Sequence, residues 1–205
     1  MALTAITSAN FSDATASQRV AILMHGYGSH EHDLAGLASY LPEGMAWASL
    51  RAPISMGMGA AWFALGDDWL QPAPIEDATA AVWEWIDARV PASCAVTALG
   101  FSQGGLMATQ LLRTRPQQVR DVVVLSGFVL NAPQPGDEEL AQTRPAVFWG
   151  RGTDDSIISD ALVDDAARWF AGHVTLTEHV ERALGHSVSD AELIAARRYL
   201  TRNEI

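Results

Sequence analysis

Six short apolar runs alternate with segments of helical periodicity along most of this 205-residue chain. Continuous apolar runs of this length are typical of strands covered on both faces, as in a parallel sheet. The predicted strands are Arg19–Met24, Ala46–Leu50, Cys94–Leu99, Asp121–Leu125, Pro145–Trp149 and Val174–Val180. The predicted helices are Ile75–Arg89, Ser102–Arg113, Ser159–Phe170 and Ser189–Thr201, and the last two begin with a serine suited to an N-cap. The alternation predicts one domain, residues 1–205, built as a doubly wound, mostly parallel α/β sheet.

The composition and charge of the chain argue against nucleic-acid binding and against a membrane protein. The formal net charge of −11 argues against a nucleic-acid partner, and it leaves no polybasic patch for an anionic membrane. No apolar run approaches the roughly 20 residues that span a bilayer, and the first 18 residues lack the features of a signal peptide. We therefore expect a cytoplasmic protein without stable membrane insertion. Cys94, the only cysteine, is predicted to be a small buried side chain.

The segment "LGFSQGG" places Ser102 between glycines, directly after a predicted strand and before a predicted helix. Gly100 to Gly104 fit G-x-S-x-G, in which glycines make room for a strained turn that exposes the serine hydroxyl. Ligands bind at the carboxyl ends of strands in such sheets. The context favours a nucleophile on an elbow, and a plain glycine-rich turn is the alternative.

A serine hydroxyl needs a general base to act as a nucleophile. His186, in "ALGHSVSD", lies between the last predicted strand and the last predicted helix, where the chain order Ser…Asp…His places the base. His25 ends the first strand and is interpreted as a structural or oxyanion-loop residue. The segment "HEHD", residues 30–33, has metal-ligand residue types, but its spacing favours a solvated loop, and we predict no metal site.

The remaining parts of such a site have candidates as well. In the chain order Ser…Asp…His, the acid is expected after the penultimate predicted strand. Asp154 and Asp155, in "GTDDSII", both lie there, and spacing does not choose which of them orients His186. One oxyanion-hole donor is expected from the backbone N–H of Gln103, the residue after the nucleophile. The second is expected from the "HGYGS" loop, with the N–H of Tyr27 preferred.

These segments, in this order, resemble the phospholipase/carboxylesterase family of serine α/β-hydrolases, which includes the acyl-protein thioesterases. The resemblance spans about Arg19 to Leu200, and "GFSQGG" and "GHSVS" are its most specific parts. It implies the α/β-hydrolase fold without a separate lid domain. The family pattern H-G-x-x-D-P-x-V-P favours Asp155 as the acid over Asp154. Arg151 and two serines depart from that pattern, so Asp154 stays open.

The resemblance further implies hydrolysis of carboxylic esters or thioesters with no cofactor. Ser102 would attack the carbonyl, His186 would transfer the proton, and Asp155 would hold the imidazole. The implied partner is a small ester or acyl substrate, and a homodimer is possible in this family. The alternatives are another acyl substrate on the same scaffold, such as a lysophospholipid, peptide or lactone, and a non-catalytic binder with the same fold.

The segment Arg51–Pro74 has no clear period and is interpreted as a long functional loop. Its apolar side chains are expected to form a wall for the acyl chain of a short or medium ester. They are Met56, Met58, Trp62, Phe63 and Leu65. The alternative is that they only pack the loop onto the body of the protein.

Overall fold

The computed structural model describes residues 3–13, 19–66 and 70–202. Its strands are β1 Thr4–Thr7, β2 Arg19–Met24, β3 Ala46–Arg51, β4 Ile54–Met56, β5 Gly59–Ala61, β6 Ala95–Phe101, β7 Val119–Leu125, β8 Ala146–Gly152 and β9 Thr175–Glu181. Seven of them form one sheet in the order β1-β3-β2-β6-β7-β8-β9. Only the edge pairing of β1 with β3 is antiparallel in this sheet of described strands. Strands β4 and β5 form a separate antiparallel hairpin.

Helices cover both faces of the sheet. They are α1 Glu31–Ala35, α2 Pro72–Asp87, α3 Gln103–Thr114, α4 Asp137–Thr143, α5 Asp160–His173 and α6 Asp190–Thr201. Alternate residues of β2 show the two layers: Val20 and Ile22 pack in the core with α2 to α5, whereas Ala21 and Leu23 pack in the core with α1 and α6. The predicted doubly wound sheet is therefore confirmed. No helix in the described ranges is long and apolar enough to cross a membrane.

The elements predicted from periodicity are present, with each end within three residues of its predicted position. Ser159 and Ser189 cap α5 and α6 as expected, since their hydroxyls accept hydrogen bonds from the N–H groups of Leu162 and Glu192. Cys94 is buried, as predicted. Strand β1, helices α1 and α4 and the β4–β5 hairpin were not predicted.

The segment interpreted as a loop, Arg51–Pro74, contains that hairpin. Ala60 pairs with Ser29 as an isolated β-bridge, and its carbonyl accepts a hydrogen bond from the N–H of Gly28 at 2.9 Å. The guanidinium of Arg51 donates to the carbonyl oxygens of Met58 and Gly59. The hairpin is thus fastened to the loop after β2. Residues 67–69 of the segment lie outside the described residues.

Candidate active site

Ser102 lies on a sharp turn between β6 and α3, with φ of 55° and ψ of −118°, a backbone conformation that costs energy for a residue with a Cβ. Its N–H donates to the carbonyl of Leu125 at 2.9 Å, which fastens the turn to β7. The flanking glycines are required by close packing. A Cβ at Gly100 would lie 1.9 Å from the carbonyl oxygen of Gly104, and one at Gly104 would lie 1.8 Å from that of Met24. The predicted elbow geometry is present.

The three predicted residues form one chain of hydrogen bonds. The distance from Nε2 of His186 to Oγ of Ser102 is 2.9 Å, and from its Nδ1 to Oδ2 of Asp155 it is 2.7 Å. The other oxygen of Asp155 accepts from the N–H groups of Ile157 and Ile158. An ionised carboxylate only accepts, so Nδ1 carries the proton, and Nε2 is the nitrogen that accepts from the serine hydroxyl.

The structure places Asp155, and not its neighbour, against the imidazole. Asp154 is exposed, and its carboxylate accepts a hydrogen bond from the hydroxyl of Thr153 at 2.8 Å. Its backbone N–H donates to the carbonyl of Leu184. Adjacent side chains diverge, so only one of the two carboxylates reaches His186. The register inferred from the family pattern therefore matches the geometry, despite the substituted residues around it.

Gln103 and Tyr27 are the two residues whose backbone N–H groups were expected to form an oxyanion hole. Gln103 is the first residue of α3, so its N–H has no acceptor within the helix. Gln103 and Tyr27 both line the same cavity as Ser102. The side chain of Gln103 is engaged elsewhere: its oxygen accepts from the N–H of Trp62, and its nitrogen donates to the carbonyl of Phe63, both at 2.8 Å. The side chain of Gln103 therefore fastens the start of α3 to the backbone of residues 62 and 63.

His25 orients the loop that contains Tyr27. Nε2 of the buried His25 ring accepts from the N–H of Ala52, so Nδ1 is the protonated nitrogen and donates to the carbonyl of Gly26 at 2.7 Å. This bond fixes the peptide unit that links Gly26 to Tyr27 and therefore the direction of the Tyr27 N–H. Burial lowers the pKa of His25, which favours the neutral ring that this arrangement requires.

A cavity of about 430 Å³ opens beside Ser102 and His186. Most of its wall is apolar, and Ser29 and Asp33 are polar groups in it. The apolar lining residues are Leu34, Leu65, Phe101, Phe128, Ile157 and Ile158. The ring of Phe101 packs against the imidazole of His186, with 4.9 Å between their centroids.

Four residues predicted to bind substrate do not line this cavity. Trp62 and Phe63 are buried in the hydrophobic core, where backbone contacts with Gln103 hold them, and Met56 and Met58 lie on the hairpin, Met58 being 89% exposed. Of the predicted wall only Leu65 lines the cavity. The sequence carried one missed signal. Ile157 and Ile158 follow Asp155 after one intervening serine, in a loop between β8 and α5 where no strand or helix periodicity accounts for two apolar residues.

The "HEHD" segment forms the start of α1. Glu31 pairs with Arg51 at 2.9 Å. Burial alone would raise the pKa of Glu31, but the contact with Arg51 outweighs it and holds the pKa below its usual value. Asp33 accepts a hydrogen bond from the hydroxyl of Ser29. Within the described ranges no three His, Cys, Asp or Glu side chains converge as metal ligands would.

The parallel sheet, the elbow and the residues gathered at its carboxyl end define an α/β-hydrolase fold. The chain belongs to the phospholipase/carboxylesterase family, whose sequence profile matches residues 9–203. The family predicted from the sequence is therefore confirmed.

Solved structures show the same fold. The crystal structure of esterase PE8 is 22% identical, covers 98% of this chain and 99% of its own, and has a TM-score of 0.78. The crystal structure of the carboxylesterase of Bacillus cereus is 19% identical, covers 98% of this chain and 94% of its own, and has a TM-score of 0.80. The crystal structure of the carboxylesterase of Mesorhizobium loti is 20% identical, covers 93% of this chain and 91% of its own, and has a TM-score of 0.75. A comparison with curated proteins finds no match.

Proposed function

We propose that this protein is a serine carboxylesterase that hydrolyses short- or medium-chain carboxylic esters, or thioesters, through an acyl-enzyme. The observation that carries the proposal is the hydrogen-bonded chain from Ser102 through His186 to Asp155, at the mouth of an apolar cavity. A nucleophile, a base and a group that orients the base in this order form the arrangement that activates a serine hydroxyl.

In the proposed reaction, Oγ of Ser102 attacks the ester carbonyl while Nε2 of His186 takes the hydroxyl proton. The C–O bond to the leaving alcohol then breaks, and His186 returns the proton to that alcohol. Water, deprotonated by His186, attacks the acyl-serine, and the carboxylic acid leaves as Ser102 regains its proton. Asp155 remains ionised and stabilises the imidazolium that forms in each half of the reaction.

The negative charge on the tetrahedral oxygen would be held by the backbone N–H groups of Gln103 and Tyr27. Side-chain hydrogen bonds hold the two backbone segments in place. His25 holds the Gly26–Tyr27 peptide, and the amide of Gln103 fastens the start of α3 to the backbone of residues 62 and 63. Donors fixed before substrate binds cost little reorganisation during the reaction.

The cavity suggests the substrate class. Its volume of about 430 Å³ lies toward the lower end of the range of roughly 300–1,000 Å³ for ligand pockets. Its apolar walls suit an acyl chain of limited length, and Ile157 and Ile158 are the wall nearest in sequence to Asp155. We therefore expect activity to fall for long acyl chains.

The test is hydrolysis of p-nitrophenyl esters from acetate to palmitate by the wild type and by Ser102→Ala. Ser49→Ala is a matched control, because Ser49 is buried in β3 and its hydroxyl has no hydrogen-bond partner among the described residues. We expect Ser102→Ala to lose activity by several orders of magnitude and Ser49→Ala to keep it. Equal rates in the wild type and Ser102→Ala would refute the serine mechanism.

Fluorophosphonate labelling separates the alternatives if no ester is turned over. Labelling at Ser102 would indicate a competent nucleophile with another acyl substrate, to be sought among thioesters, lysophospholipids, peptides and lactones. A protein that neither turns over esters nor becomes labelled would be a binder with this fold, and the proposed function would be wrong.

A further inference from the structure

Ser126 follows β7 at the same edge of the sheet where Ser102 follows β6. Its φ of 43° is positive, and the residue is 2% exposed. Its N–H donates to the carbonyl of Gly150 at 2.8 Å, just as the N–H of Ser102 donates to the strand beside it. Two adjacent strands therefore end in a serine with a strained backbone.

A glycine would adopt this backbone at Ser126 without the steric cost that a Cβ imposes. Strain of this kind persists where surrounding structure holds it, and it concentrates at functional sites. The side chain that accompanies the strain has a specific contact: Oγ of Ser126 donates to the carbonyl of Ser187 at 3.2 Å. Ser187 is the residue after the proposed general base, His186.

The loop that carries His186 is held from two sides. On the side of the acid, the N–H of Ala183 donates to the hydroxyl of Thr153 at 2.9 Å, and the N–H of Asp154 donates to the carbonyl of Leu184 at 3.0 Å. On the side of the nucleophile, the hydroxyl of Ser126 donates to the backbone of the same loop, at the carbonyl of Ser187. The first pair sets the loop against Asp155, whereas Ser126 sets it against the strand next to Ser102.

We propose that Ser126 is a positioning residue that keeps His186 within hydrogen-bonding distance of Ser102. The proposal rests on the proposed function. Ser126 does not line the cavity, so it does not touch substrate and acts through the backbone of Ser187. Without its hydroxyl, the Ser187 carbonyl loses a donor in a half-buried place, and the loop shifts to recover one from water. Small displacements of a base from its nucleophile lower the rate of the chemical step.

The test compares Ser126→Ala, Ser126→Gly and Ser126→Asn with Ser49→Ala. Alanine removes the hydroxyl and keeps the strain, glycine removes both, and asparagine tolerates a positive φ and retains a donor. For p-nitrophenyl butyrate we expect kcat to fall roughly tenfold in the alanine and glycine variants, with KM within about twofold of wild type. We expect fluorophosphonate labelling to slow by a similar factor, and Ser126→Asn to recover part of kcat.

The glycine variant separates positioning from folding. It is expected to melt at a higher temperature than Ser126→Ala because it relieves the strain, yet to be equally slow. A glycine variant with wild-type kcat would overturn the proposal, and so would losses that match those of Ser49→Ala or that fall on KM alone. A wild type without ester turnover or labelling would instead refute the proposed function itself.

Discussion

Glu192 is a buried carboxyl whose protonation should set the pH dependence of stability. It is fully buried in α6, and neither carboxylate oxygen has a hydrogen-bond partner among the described residues. The carboxyl packs closely on Gly150, since a Cβ at that position would lie only 1.9 Å from Oε1 of Glu192. Burial raises the pKa of Glu192 from 4.5 to about 7, and the nearby Glu181 adds to the rise, while the backbone of Ser189 near the carboxyl opposes it.

The sign follows from which state binds the proton. Below pH 4.5 the carboxyl is protonated in both states, so it contributes no pH dependence. Between pH 4.5 and 7 the unfolded chain has released the proton and the folded chain has kept it, so the free energy of unfolding falls as pH rises. At about 1.4 kcal/mol for each pH unit, the rise from 4.5 to about 7 corresponds to about 3 kcal/mol, all of it lost above pH 7.

Glu192→Gln removes this titration and keeps the side-chain shape. We expect the free energy of unfolding of the wild type to fall between pH 5 and pH 8 by most of these ~3 kcal/mol relative to the variant. Urea unfolding at both pH values measures the difference, and only its change with pH is interpreted, because burying an amide has its own cost. Glu84→Gln, at an exposed position of α2, controls for the loss of one negative charge. Parallel pH dependences for the wild type and Glu192→Gln would refute the reasoning.

The other predictions concern the site and its packing. Asp155→Asn should lower kcat about a thousandfold or more, because the amide can hold the wrong imidazole tautomer. Asp154→Asn should change kcat little. If steady-state assays show the larger loss for Asp154→Asn, the acid has been misassigned. Gly104→Ala should lower stability by about 2 kcal/mol or more, since its Cβ meets the Met24 carbonyl, and an unchanged melting temperature would contradict this. Asp33 places a negative charge in the cavity wall, so Asp33→Asn should raise kcat/KM roughly threefold for the anionic ester mono-p-nitrophenyl succinate. The same substitution should leave kcat/KM for p-nitrophenyl butyrate unchanged. An equal change for both esters would exclude a charge effect.

The parts of the fold that the sequence predicted are those whose signals are local. Continuous apolar runs were predicted as strands, and they are strands of the sheet. A serine at each N-cap marked where α5 and α6 begin. The elbow was predictable because the glycines that close packing requires stand beside the serine. Helices α1 and α4, of 5 and 7 residues, are too short to show a period.

The parts that were missed depend on contacts distant in sequence. The β4–β5 hairpin is held by Ser29 and Arg51, and neither contact leaves a pattern within the hairpin itself. The same holds for the cavity wall. Trp62 is buried in the core, where its backbone N–H donates to the side chain of Gln103, 41 positions away in sequence, and it does not line the cavity. Apolar composition alone does not distinguish a residue that lines a cavity from one that packs beneath it.

The two strained serines show how the sheet fixes the residues at its carboxyl edge. Ser102 and Ser126 continue the hydrogen-bond ladder of the sheet through their N–H groups, so each strained turn is fixed to the strand beside it. Residues preceding these turns are buried, among them Leu99 and Val124, and packing on both faces leaves the strands no room to relax. Core packing therefore offsets the strain at the turns, and the two hydroxyls stay at one edge of the sheet, that of Ser102 beside the cavity and that of Ser126 bonded to the loop of His186.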